Sequence, residues 1–99
     1  PQFGPMIAIG LGGIFANELN ETTFLLSPIS DQDIDELKTS KLGRVINEFA
    51  SENVFNELVS YLLKLDRFMT ANNSIKDIDL NPIIMLKDKL FASDFKIFI

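Results

Sequence analysis

The apolar residues of the chain fall into short runs whose spacing changes along the sequence. Residues 6–9 are apolar and lead into a glycine cluster at 10–13, after which residues 14–16 are apolar again. This pattern predicts a strand, a glycine turn and a second strand. The run 22–26 is β-branched and aromatic and follows a short polar link, so it predicts an antiparallel hairpin with the strand before it.

The middle of the chain has the spacing of helices. Ser30 precedes acidic residues of a first turn, which predicts a short helix over residues 31–39. Residues 41–44 are predicted to be a break, and a helix of about twenty residues is predicted from Ser51 to Ala71. The apolar stripe of that helix predicts a core face: Phe55, Leu58, Leu62, Leu65 and Met69.

The C-terminal third predicts a β-hairpin. Residues 78–81 alternate apolar and polar positions, Pro82 interrupts them, and an apolar run continues over residues 83–86. Residues 87–89 form a polar turn, and residues 90–99 return as a strand. Together the patterns predict an α+β fold, in which one long and one short helix pack on an antiparallel sheet of about four strands.

Composition narrows the possible functions. The chain has 99 residues with no Cys, His or Trp, which excludes disulfides, thiolate nucleophiles and imidazole chemistry within it. Its formal net charge is −5 and its basic residues are scattered, so we expect no nucleic-acid partner. The apolar runs are too short to span a bilayer and no export signal is visible, which predicts a cytoplasmic protein without a membrane partner.

The ends of the chain bear on its organisation. It begins at Pro1 and stops within the apolar strand that ends at Ile99. We therefore expect residues 1–99 to be a single domain that is a piece of a longer polypeptide.

Candidate chemistry lies in the C-terminal hairpin. Period two places Asp79 and Asn81 on one face, and an even-length turn would bring Asp94 of the returning strand opposite them. Two carboxylates and an amide oxygen suit Mg²⁺, a hard cation that prefers oxygen ligands. The same residues are also typical of the solvated face of an amphipathic hairpin, and their spacing alone leaves both interpretations open. The glycine cluster is equally ambiguous, because glycines serve turns as well as close approach to phosphate.

The order of the motifs resembles a known family. Phe3-Gly4-Pro5, Gly10-Leu11-Gly12-Gly13-Ile14-Phe15, Thr23-Phe24-Leu25-Leu26-Ser27-Pro28-Ile29 and Ile78-Asp79-Leu80-Asn81-Pro82-Ile83-Ile84 are similar to the ATP-grasp domain of ADP-forming acyl-CoA synthetases. The resemblance covers nearly the whole chain and corresponds to the C-terminal part of that domain, which is also similar to the β subunit of succinyl-CoA synthetase.

The resemblance implies a site and a reaction. By matching position, Asn81 and Asp94 would hold the Mg²⁺ that bridges the phosphates of ATP or ADP, Asp79 would orient water or metal, and Gly12 and Gly13 would line the nucleotide cleft. The family reaction moves phosphate between an acyl phosphate and ADP through a phosphohistidine, which this chain lacks. The expected partners are therefore the rest of the ATP-grasp domain and the CoA-binding domains or subunit, where CoA is handled, and the isolated chain is predicted to be inactive.

Three positions depart from the family pattern. Asn17 stands where the family has an acid, Leu25 stands where it has an arginine, and the G-x-R-G loop is reduced to Leu42-Gly43-Arg44-Val45. The sequence therefore leaves a second hypothesis open, in which a degenerate domain serves assembly with a synthetase partner or forms a homodimer.

Overall fold

The computed structural model describes residues 4–12, 22–86, 89–92 and 94–99. Five strands and three helices lie within these residues. They are β1 (Met6–Leu11), β2 (Thr23–Leu26), α1 (Asp31–Thr39), α2 (Lys41–Phe49), α3 (Glu52–Ala71), β3 (Asp77–Leu86), β4 (Lys89–Ala92) and β5 (Phe95–Phe98). None of the helices in this described part of the chain is long and apolar enough to cross a membrane.

The five strands form one sheet. Its order is β2, β1, β3, and β4 and β5 share the remaining edge of β3. β2 pairs antiparallel with β1, and both β4 and β5 pair antiparallel with β3. β1 and β3 are parallel, with Ile7 beside Ile78 and Ile9 beside Leu80. Parallel neighbours need a long crossover, and β2 with the three helices supplies it. The predicted α+β class is confirmed, with a mostly antiparallel sheet whose central pair is parallel.

One hydrophobic core joins the sheet to the helices. Ile7 and Ile9 of β1 and Ile78 and Leu80 of β3 are fully buried in it. The helix α3 presents its predicted stripe to the same core. Since burying a large aliphatic side chain contributes about 1.5–3 kcal/mol, this face of the sheet carries much of the stability of the fold.

The helices begin at serine caps. Ser30, Ser40 and Ser51 each accept a hydrogen bond from the backbone N–H three residues later, at 3.1, 3.3 and 3.2 Å. Asp33 completes a capping box by accepting from the backbone N–H of Ser30. These caps satisfy backbone donors that a helix leaves unpaired at its start. The predicted bounds of α1 are confirmed, and α3 starts one residue after its serine cap.

The prediction of a break at residues 41–44 is wrong, because α2 begins there. Leu42, Val45 and Ile46 recur at helical spacing and are buried. Gly43 lies where α2 packs against the end of α1, and a Cβ at this position would collide with the carbonyl oxygens of Leu37 and Lys38. Here glycine permits close packing of two backbones and does not end the helix.

A buried acid on α3 fixes the loop between β2 and α1. Asp66 accepts a hydrogen bond from the Oγ of Ser27 and another from the backbone N–H of Ile29 at 3.0 Å. Its side chain is buried, so these donors replace water as its partners. Asp66 therefore holds the end of β2 against the helical layer.

Two details of the strands differ from the sequence predictions. The strand β1 continues through Gly10 and Leu11, which were predicted to turn. The strand β3 runs through Pro82 without interruption, and the returning strand is divided into β4 and β5 instead. The predicted strand at 14–16, Gly13, Asn17 and the turn residues 87 and 88 lie outside the described residues.

Candidate functional site

The sheet has a second face, opposite the helices, which we call the open face. Register places two rows of side chains on it: Ala8 lies in line with Phe24, Asp79 and Lys96, and Met6 lies in line with Leu26, Asp77 and Phe98. Phe24 is 61% exposed and Leu26 is 47% exposed, so no described segment covers that side. The open face therefore combines an apolar margin on β2 with acidic residues on β3.

Asp77 and Asp79 have an unusual environment. The Oδ1 atom of each is buried and has no hydrogen-bond partner. A buried carboxylate oxygen without a donor is costly, and most such atoms in folded proteins are paired. These two oxygens therefore lack the positive charge or hydrogen-bond donors that a ligand or partner could supply. Asp77 was not among the predicted site residues, although its i, i+2 spacing from Asp79 was the available signal.

Asp94 is exposed, and its Oδ2 lies 3.5 Å from the Nζ of Lys96. It immediately precedes β5, whose Lys96 is paired in register with Asp79. This ion pair brings the Asp94 carboxylate and the Lys96 ammonium group together. Asp94 therefore lies next to the strand that neighbours Asp79.

The register also locates Asn81 relative to Asp94. Leu80 pairs with Phe95, and Ile83 pairs with Ala92, so the same offset holds on both sides of the gap between β4 and β5. By this offset, backbone positions 81 and 94 stand opposite each other. Leu86 pairs with Lys89, so an even number of residues separates the two strands, which is the condition on which the convergence of the two positions depends.

The glycine segment lies beside the same part of β3. The pairing of β1 with β3 shifts register between Ile9 and Leu11, opposite the segment from Leu80 to Ile83. Gly12 is buried, and its backbone N–H donates to the carbonyl oxygen of Ile83 at 2.9 Å. This bond uses the Gly12 amide, so it is not free to bind phosphate in this conformation. Gly13 lies outside the described residues.

The positions that depart from the family pattern are also informative. Leu25 is 7% exposed and pairs with Ile7 on the helix side of the sheet, where it joins the hydrophobic core. Leucine at this position therefore contributes to packing. Arg44 is exposed on α2.

The donor set agrees with a hard cation. Asp79 and Asp94 supply carboxylate oxygens, and the residue at position 81 is an asparagine, whose amide supplies another. Within the described ranges, no group of three or more Asp, Glu, His or Cys residues is placed to hold a metal ion. Any metal at this face would therefore need the amide and further oxygens from a ligand or water.

The chain belongs to the ATP-grasp domain family, whose model matches residues 1–99. Enzymes of this class use ATP or ADP with Mg²⁺, and several curated relatives of the chain are named ADP-forming CoA ligases. It is 32% identical to the acetate–CoA ligase (ADP-forming) I subunit beta of Pyrococcus furiosus, over 95% of this chain and 42% of that protein.

Two further relatives are larger proteins. The 4-hydroxybutyrate–CoA ligase (ADP-forming) of Nitrosopumilus maritimus is 30% identical over 88% of this chain and 13% of its own length. The acetate–CoA ligase (ADP-forming) of Methanocaldococcus jannaschii is 32% identical over 88% of this chain and 13% of its length. The chain thus spans less than half of these relatives. No solved structure matches it.

Proposed function

We propose that this chain supplies the C-terminal half of a magnesium-nucleotide site in an ADP-forming acyl-CoA ligase. The observation that carries the proposal is the buried, unpartnered Oδ1 of Asp79 on the open face. Asp94 immediately precedes the neighbouring strand β5, and by the register of β3 with β4 and β5 its backbone position stands across from position 81. Three oxygen-bearing residues, Asp79, Asn81 and Asp94, therefore occupy neighbouring parts of β3 and of the segment that leads into β5.

The chemistry of this half-site follows from its ligands. Mg²⁺ keeps water and phosphate oxygens in its shell, so two carboxylates and an amide suffice as the protein's share. A bound magnesium ion would neutralise charge on a phosphoryl group in transfer. Asp79 and Asp94 would fix its position, and Gly12 and Gly13 would line the cleft near the irregular part of the β1–β3 pairing.

The remaining parts of such a reaction must come from elsewhere. The chain contains no histidine to carry a phosphoryl group. We therefore expect the other half of the nucleotide site and the CoA-binding parts to lie in other segments or subunits. The beta-subunit names of two Pyrococcus furiosus relatives agree with such a division. The isolated chain is expected to have no turnover.

The test is a titration of the 99-residue chain with Mg²⁺ and ADP, followed by backbone amide NMR shifts. We expect the largest shifts at the residues of β3 and β5 around Asp79 and Asp94, and their loss in Asp94→Asn. Asp35→Asn on the exposed surface of α1 is the matched control and should change nothing. Shifts that are centred on α1, that persist in Asp94→Asn, or that are absent at millimolar ligand would contradict the proposal.

A second function is favoured by the apolar margin of the open face. Phe24 and Leu26 are exposed there, and exposed apolar side chains of this size commonly mark an interface. In this alternative the chain is a noncatalytic domain that serves assembly or forms a homodimer. Self-association that buries Phe24 while Mg²⁺ and ADP leave the spectrum unchanged would favour the alternative.

A further inference from the structure

Lys96 is a basic residue beside the acids of the open face. Among the described strands β1, β2, β3 and β5, it is the only lysine or arginine. Its Nζ lies 3.5 Å from Oδ2 of Asp94, and its backbone position is directly opposite Asp79. Side chains at opposed positions of an antiparallel pair have Cβ atoms about 4.5–5.5 Å apart. The ammonium group is therefore within reach of both carboxylates.

The positions of these charges create a conflict with metal binding. A divalent cation held by Asp79 and Asp94 would bring two positive charges beside the ammonium group of Lys96. Like charges at such distances repel, so the contact between Lys96 and Asp94 is incompatible with an occupied site. The Lys96 side chain is 60% exposed, so it has room to turn away.

We propose that the ammonium group of Lys96 pairs with Asp94 when metal is absent and turns to the nucleotide phosphate when a metal-nucleotide binds. This inference rests on the proposed function and adds a residue to it. In the metal-free chain, Lys96 offsets the charge of Asp94. When a metal-nucleotide enters, the metal takes over both carboxylates and the ammonium group turns to the phosphate oxygens, for which a flexible lysine is suited.

The proposal predicts opposite effects on two ligands. Removing the lysine charge in Lys96→Met removes a competitor of free metal, so Mn²⁺ alone should bind about three- to tenfold more tightly. The same variant loses a phosphate contact, so ADP in the presence of saturating Mn²⁺ should bind about three- to tenfold more weakly. A structural role for Lys96 would weaken both kinds of binding together.

The experiment measures Mn²⁺ affinity, and ADP affinity at saturating Mn²⁺, in the 99-residue chain and three variants. Lys96→Arg should retain the wild-type pattern, because it keeps the charge. Lys64→Met removes an exposed lysine from α3 and should leave both affinities unchanged. Asp94→Asn should weaken Mn²⁺ binding and tests the site itself.

The outcomes separate this inference from the proposed function. Tighter Mn²⁺ binding together with weaker ADP binding in Lys96→Met supports the movement of Lys96 from Asp94 to the phosphate. If the tighter Mn²⁺ binding disappears at high salt, its origin is electrostatic. If Lys96→Met changes the Mn²⁺ and ADP affinities in the same direction, or changes neither, the proposed role of Lys96 is overturned. The half-site then still stands, provided that Asp94→Asn weakens Mn²⁺ binding. Mn²⁺ binding that is unaffected by Asp94→Asn would overturn both proposals.

Discussion

The two faces of β3 differ although they are formed by alternating residues of one strand. Ile78 and Leu80 are fully buried against the helices, whereas Asp77 and Asp79 lie on the open face with an unpartnered oxygen each. The first pair stabilises the chain by itself. The second pair is costly in the chain alone, and that cost is explained if a ligand or partner supplies what the acids lack. The helix-side pair maintains the fold, and we propose that the open-face pair binds a ligand.

The largest expected effect tests the helix face. Leu80→Ala removes a fully buried side chain and should lower the free energy of unfolding by about 2–5 kcal/mol. Its neighbour Asp79→Ala should leave stability unchanged or raise it, because it removes a carboxylate with an unpaired buried oxygen. Urea denaturation of both variants measures the contrast. A large loss of stability in Asp79→Ala would show that the acid supports the fold, and would break the distinction between the faces.

The next effect concerns the loop that joins β2 to the helical layer. Asp66→Ala leaves the backbone N–H of Ile29 and the hydroxyl of Ser27 without their acceptor, and should cost about 2–3 kcal/mol. Asp66→Asn keeps one acceptor oxygen and should cost less. Thermal unfolding of Asp66→Ala and Asp66→Asn measures the difference in their stability. Equal stability of Asp66→Ala and wild type would contradict a structural role for this acid.

A smaller effect is expected where α1 meets α2. Gly43→Ala introduces a Cβ into the carbonyl oxygens of Leu37 and Lys38, and should cost about 1–3 kcal/mol despite the better helix propensity of alanine. Asn47→Ala, at an exposed position of the same helix, is the control. The denaturation midpoints of Gly43→Ala and Asn47→Ala are compared with that of the wild type. A stabilised Gly43→Ala chain would mean that α1 and α2 are not in close backbone contact.

The smallest effect tests the margin of the open face. Phe24→Ser should change stability by less than about 0.5 kcal/mol, because the side chain is mostly exposed. Its neighbour Leu25→Ser faces the core and should cost several times more. The rates of amide hydrogen exchange in β1 measure the stability of both variants. A Phe24→Ser chain as unstable as Leu25→Ser would mean that the open face is packed in solution.

The sequence predicts elements well where one periodicity dominates. The stripe of α3 and the serine cap of α1 are local signals, and the structure confirms both helices. The helix α2 was missed because Gly43 and its polar neighbours suggest a break, while the reason for this glycine is its contact with α1. The parallel pairing of β1 with β3 was also missed, because it depends on contacts between distant segments.

Only those features of the site that depend on local alternation could be predicted from the sequence. The alternation that separates Asp79 from Leu80 is visible in the sequence, and so is the shared face of Asp94 and Lys96. The i, i+2 spacing of Asp77 from Asp79 is visible as well, whereas the unpaired oxygen of Asp77 depends on the strands packed around it. The assignment of Asn81, Asp94 and Asp79 as metal ligands stays a prediction, as does the role of Gly12 and Gly13.

One measurement tests the central claim that the open face is a metal half-site. Among the described residues, acids lie near one another both on the open face and on α1, so Mn²⁺ can be offered to both groups at once. The account predicts that paramagnetic broadening of amide NMR signals at low Mn²⁺ centres on Asp79 and Asp94 and is reversed by excess Mg²⁺. Broadening that centres on α1, or that is equal in the two groups, would contradict it.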